Sequence, residues 1–264
     1  ALDNAISLGV VIIVLFLIVP IRTELLDFLL IINIGLSIMI LMITMNISET
    51  LEFSIFPSLL LVTTLFRLGL NVSSTRAILS RGYAGEVIQN FGNLITGGNI
   101  VVGVVIFLII VLVQFIVITK GAERVAEVAA RFTLDAMPGK QMAIDADLSS
   151  GLINEQEARA RRQKIQKEAD FYGAMDGATK IVKGDAVMSI VITLINFVGG
   201  VIIGMVMGGG DFTTVLQTYS IVTIGDGLVS QLPALMISTA TGMVVTRSVS
   251  EGSLNRDVIA QFKA

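Results

Sequence analysis

Apolar residues run through the chain in long unbroken blocks, at about Ile6–Val19, Leu25–Met45, Phe53–Leu70, Ile100–Thr119, Ala186–Met207 and Val215–Val245. A bilayer crossing takes roughly 20 residues of helix, so each block reads as a transmembrane helix and the count expected is six. The first block is short, but Pro20 and the turn Ile21-Arg22-Thr23 follow it, as where a helix leaves the membrane. The last block holds Gly225-Asp226-Gly227 and Pro233, a pattern that predicts a helix broken over 225–233.

Between the fourth and fifth blocks the pattern changes. Residues 121–184 alternate charged and apolar positions, predicting helices over Glu123–Phe132 and Asn154–Tyr172. Asn154 is placed as an N-cap, and Met137-Pro138-Gly139-Lys140 as a turn between the two helices. The stretch from Lys120 to Lys183 carries 11 of the 18 basic residues, and by the positive-inside rule it is cytoplasmic. The organisation expected is therefore spans one to four in 1–120, a small helical cytoplasmic insert in 121–184, spans five and six in 185–247, and a cytoplasmic tail in 248–264. With four spans before the insert, the N-terminus falls on the cytoplasmic side too. Arg67, Arg76 and Arg81 then land on the outer side, against the rule, unless carboxylates hold them inside the bundle.

Composition strengthens this reading: 54% of the 264 residues are hydrophobic and only 15% charged, with a mean hydropathy of +0.85. The fold class expected is an all-α polytopic membrane protein. Asp3 and the absence of Lys or Arg before the first block argue against a signal peptide, and a start without Met suggests that the natural N-terminus lies upstream. Neither Cys nor His occurs, which removes thiol nucleophiles, disulfides, Cys/His metal sites and imidazole catalysis. No glycine-rich stretch continues into the Gly-Lys-Ser/Thr of a phosphate-binding loop. No basic run with interleaved aromatics occurs and Trp is absent, so a nucleic-acid-binding reading has no support. No enzyme activity, cofactor or metal is expected.

Charges at membrane depth cost about 2.5–3.5 kcal/mol each on insertion scales, so the few present are the candidates for function. Asp185 follows Lys183-Gly184 and opens an apolar run, as an interfacial N-cap or as a proton-linked carboxylate. Asp226 sits between two glycines, as a loop aspartate or as a carboxylate facing a wet cavity. Arg67 and Arg76 flank the polar patch Asn71, Ser73, Ser74 and Thr75, either as interface-seeking caps or as functional charges. Gly200 and Gly204 form a helix-packing face, and Gly208-Gly209-Gly210 a turn.

Four stretches carry a resemblance to a known family. RLGLNVSSTRAIL (67–79), ITKGAERVAEVAARFTLDAMPGKQMAIDADL (118–148), EADFYGAMDGATK followed by KGDA (168–186) and TIGDGLVSQLPALMISTATGMVVTR (223–247) resemble, in order and spacing, the FHIPEP family of type III secretion export-gate membrane proteins. The wording ITKGAERVAE with ADFYGAMDGA is more similar to the flagellar branch than to the virulence-injectisome branch.

The resemblance implies a ring-forming subunit, nonameric, in the bacterial inner membrane within the flagellar basal body. It implies partners among the other export-gate membrane proteins, the export ATPase complex and chaperone–substrate complexes. Members have eight spans and a large cytoplasmic docking domain, whereas this chain corresponds to the first six spans. The family couples the proton motive force, or sodium, to protein export. Carried over by motif, the residues implied are Asp185, Asp226, Asp176, Lys180, Arg67 and Arg76. Lys183, with Lys180, is the expected partner of Asp185, and protonation of Asp185 would loosen that pairing and repack the insert. A stand-alone ion-coupled transporter and a purely structural assembly module are the competing readings.

Overall fold

A computed structural model describes residues 2–116, 121–247 and 254–263. Its helices are α1 (Leu2–Leu15), α2 (Thr23–Asn46), α3 (Phe56–Arg81), α4 (Glu86–Thr96), α5 (Ile100–Ile116), α6 (Glu123–Ser149), α7 (Glu155–Gly208), α8 (Phe212–Val245) and α9 (Leu254–Phe262), with a 3-10 turn at Thr50–Phe53 before α3. No strand occurs among the described residues, and the all-α membrane class stands. Residues 117–120, including Lys120, and most of the tail that follows Arg247 up to α9 lie outside the described residues.

Six crossings are expected from the sequence; among the described residues, four helices are long and apolar enough to cross a membrane: α2, α3 with its preceding turn, α7 and α8. A fifth results if α4 and α5, bent by 102° at their break, form one broken span. The first apolar block yields only the 14-residue α1. At 1.5 Å per residue that helix covers roughly 21 Å, short of a hydrocarbon core of about 30 Å.

Two expected breaks are absent. Helix α8 runs through 225–233 without unwinding. Gly225 and Gly227 are there for close approach. A Cβ on Gly225 would collide with the Ile88 carbonyl of α4, and one on Gly227 with the Phe107 ring of α5. Helix α6 likewise runs through the Met137–Lys140 turn. Pro138 and Leu134 are exposed, so the ring and the carbonyl it leaves unbonded face solvent, where the disruption is small.

Helix α7 is the main structural surprise. Its 54 residues join the second insert helix to the fifth apolar block without interruption. Asn154 caps it as expected. Its side chain accepts from Glu157 N at 2.8 Å while Glu157 Oε2 accepts from Asn154 N at 2.9 Å, a complete capping box. The Lys183-Gly184-Asp185 boundary is therefore mid-helix, and Asp185 is not an N-cap.

Contacts fix the directions of the central helices. Arg67 meets Asp185 and Asn71 meets Ser189, so α3 and α7 run parallel. Asn71 meets Ser230 and Asn196 meets Asp226, so α8 runs antiparallel to both. At one end α6 folds back along α7 as a hairpin, laced by Lys140–Glu168 (3.4 Å), Arg161–Asp147 (3.1 Å), Arg162–Asp145 and Lys183–Glu123 (2.7 Å). The hairpin keeps a small core of Ile144, Ile153 and Ala158. A larger cluster that includes Phe53, Phe56, Leu60, Phe171, Met175 and Ile237 joins it to the bundle. At the far end Tyr219 packs on Gly200 and Gly204, the packing face expected from sequence. Helix α3 ends there on Gly82, whose φ of 66° is left-handed.

Candidate ion-coupling site

Among the polar residues of the bundle are Arg67, Asn71 and Ser74 on α3, Asp185, Ser189 and Asn196 on α7, and Asp226 and Ser230 on α8. Spacings of three, four, seven and eleven residues bring side chains to one face of a helix. The three faces meet, and a polar column runs through the apolar bundle between α3, α7 and α8.

The end of the column nearer the insert is an ion pair. Arg67 Nε donates to Asp185 Oδ2 at 2.6 Å, and its Nη2 reaches the same oxygen. The two side chains are 2% and 1% exposed. Asp185 Oδ1 has no hydrogen-bond partner. Removing one member of such a pair strands the other in a dry interior at about 3–5 kcal/mol. One turn further, Asn71 Nδ2 donates to Ser189 Oγ at 3.4 Å, while Ser230 Oγ donates to Asn71 Oδ1. Beyond that, Asn196 Nδ2 donates to Asp226 Oδ2 at 2.9 Å, while the Ser74 hydroxyl donates to the Asn71 carbonyl at 3.0 Å. Asp226 is 4% exposed and Asn196 fully buried. No cation pairs with Asp226 among the described residues.

Of the residues expected, Arg67, Asp185 and Asp226 are thus brought into one column. The expected pairing of Asp185 with Lys180 or Lys183 is not what the structure shows. At 100° per residue, positions two and five before Asp185 point well away from its face. Lys183 instead pairs with Glu123 of α6. Lys180 Nζ lies 3.1 Å from Asp176 Oδ2 on the exposed surface of the hairpin. That hydrogen bond, then the Asp176 charge, raises the Lys180 pKa, against a lowering by desolvation. Arg76 serves structure at the far end. It donates to the carbonyls of Ile18 at 3.0 Å and Leu17 at 3.3 Å, just past α1, where cations are favoured. Arg81 is exposed. The arginine conflict is therefore resolved for Arg67 by a buried carboxylate.

Sequence reading missed Asn71 as a bridge, together with Ser189, Ser230, Asn196 and Glu123. The signal was available in the helical spacing of polar residues within apolar runs. It shows only once α3 is extended past Leu70 and α8 is continuous.

A sequence profile described as the FHIPEP family matches residues 13–264. The chain belongs to the FHIPEP family. It is 59% identical over 262 residues to the flagellar biosynthesis protein FlhA of Bacillus subtilis, covering 99% of this chain and 39% of that protein. It is 56% identical over 265 residues to FlhA of Caulobacter vibrioides, covering 98% and 38%. The low calcium response locus protein D of Yersinia pestis is 52% identical over 258 residues, covering 96% and 37%. The chain thus spans under two fifths of the length of these relatives. No solved structure matches it.

Proposed function

We propose that this chain is the membrane part of an export-gate subunit of the flagellar type III protein export apparatus, and that it couples ion movement to protein translocation across the bacterial inner membrane. Its placement in the flagellar branch is supported by the FlhA relatives at 59% and 56% identity. The observation that carries the coupling is the buried Arg67–Asp185 pair. A membrane protein that only scaffolds gains nothing from a charge pair where apolar side chains would pack as well.

In this mechanism a proton enters on the unpartnered Asp185 Oδ1. The carboxylate loses its charge, and Arg67 is left as an uncompensated buried cation that must move toward water or other acceptors. Asp185 lies on the same unbroken α7 that forms half of the insert hairpin. A shift of α7 against α3 is thereby delivered to the hairpin as a rigid-body displacement. In the full subunit the hairpin faces the cytoplasm and the chain assembles as a ring with other gate proteins. The ATPase complex and chaperone–substrate complexes are met by the parts of the subunit beyond this chain.

Asp185→Asn in the full-length protein should abolish motility while the ring still assembles, and Asp185→Glu should restore part of it. Export retained in Asp185→Asn with normal dependence on the proton gradient would overturn the mechanism. Failure of the chain, grafted into a full-length relative, to restore motility to a flagellar export mutant would overturn the flagellar assignment.

A further inference from the structure

The insert hairpin carries two features that packing within one chain does not explain. The first is an uncharged strip on α6. Phe132, Ala136, Gly139, Ala143 and Ala146 are all exposed. At roughly 100° per residue they fall within an arc of about 80°. That arc lies on the back of α6, away from Ala126, Ala130 and Ile144, which are buried. Phe132 is 72% exposed. An exposed apolar strip on a helix outside the membrane bundle marks a contact surface.

The second feature is a cleft of about 750 Å³ between α7 and the turn that precedes α3. Its apolar lining is Leu51, Pro57, Ala160, Phe171 and Ala174, and its charged lining includes Lys167 and Asp170. The two features match in height. The pairs Lys183–Glu123, Lys140–Glu168, Arg162–Asp145 and Arg161–Asp147 set the register of the hairpin. By that register the strip lies level with residues 161–175 of α7, and the cleft occupies α7 from Ala160 to Ala174. Each is roughly 21 Å long at 1.5 Å per residue.

Charge agrees with shape. Arg131 and Asp135 border the strip, and neither they nor Lys167 and Asp170 form an ion pair among the described residues. Moving away from the bundle, α6 presents Arg131 and then Asp135. Helix α7 runs the other way and presents Asp170 and then Lys167, so each charge beside the strip has its opposite beside the cleft.

We infer that the α6 strip of one copy of this chain docks in the α7 cleft of the next, joining the insert hairpins of neighbouring copies head to tail. The inference rests on the ring arrangement proposed above and names a surface that closes it. A strip and its complement on different sides of one hairpin make a heterologous contact, and equal height lets that contact close into a ring rather than climb into a filament. Phe132 is the anchor, at the height of Ala174, whose small side chain leaves room for the aromatic ring.

The chain holds no cysteine, so thiol cross-linking tests the contact directly. Ala136→Cys and Ala174→Cys are placed on separate, differently tagged copies of the full-length protein, freed of any cysteine beyond this chain. The copies are co-expressed and treated in membranes with a short thiol-specific cross-linker. Expected is a dimer carrying both tags, and no dimer from either variant expressed alone. Adding Phe132→Asp should lower the yield at least ten-fold. Asp135→Lys should also lower it, and Lys167→Glu should restore it. Absence of the mixed dimer overturns the contact, as does an equal yield with Phe132→Asp or a dimer of Ala136→Cys alone. Capture of a different protein by Ala174→Cys in place of the mixed dimer overturns it as well. Amine-reactive cross-linking of the unmodified protein reads ring assembly separately. Higher oligomers without the mixed dimer sink this contact and leave the ring, whereas their absence sinks the ring reading too.

Discussion

At the scale of single residues, Arg67 and Asp185 dominate. Arg67→Ala should destabilise the chain by about 3–5 kcal/mol, because Asp185 is left charged in a dry interior. The double replacement Arg67→Met with Asp185→Leu should recover most of that loss while abolishing coupling. Chemical or thermal unfolding in detergent measures the first effect and an export assay the second. Gly225 works at the same scale by a different force. Gly225→Ala places a methyl group against the Ile88 carbonyl, a backbone atom that cannot rotate away. A loss of about 1–3 kcal/mol is expected from overpacking. Gly121, with open space around it, should tolerate Ala by the same assay.

At the scale of elements, α7 is the part whose continuity matters. Ala178→Pro removes a helix bond and inserts a ring between the insert and Asp185, costing about 3 kcal/mol locally. The expected outcome is a chain that still inserts and assembles but no longer exports. Export at the unmodified level would show that α7 need not be rigid. Asn154→Ala removes one half of the capping box and should cost about 1 kcal/mol, read as faster hydrogen exchange in the first turns of α7. Helix α6 was legible as a helix, but its length was not. Pro138 reads as a terminator in a one-dimensional sequence, and only its position on the solvent side of a packed hairpin makes it harmless.

For the whole molecule, two parts held by different forces share one helix. The hairpin is laced by exposed ion pairs such as Arg161–Asp147 and Lys140–Glu168, each worth under about 1 kcal/mol and screened by salt. The bundle is held by apolar packing and a buried polar column that salt does not reach. Raising ionic strength should therefore speed hydrogen exchange in 123–170 and leave α3 and α8 unchanged. Equal acceleration in both parts would contradict this division. Exposed apolar side chains on α5 and the membrane half of α7, among them Val105, Leu112, Leu194 and Val198, are the expected lipid-facing or subunit-facing surface.

The amino-acid sequence by itself determined the membrane class, the N-cap at Asn154 and the family, and it named the three charges that the column contains. Those features are local, since hydropathy, helix capping and motif spacing act within a few residues of chain. Only the tertiary structure decided which charge meets which. Asp185 selects Arg67, 118 positions away, over two nearer lysines, because helical geometry turns the lysines off its face and parallel packing of α3 and α7 brings the arginine onto it. The glycines around Asp226 follow the same rule. Alone they suggest a broken helix, but packed against α4 and α5 they permit a continuous one, because only a neighbouring backbone gives a missing Cβ its purpose.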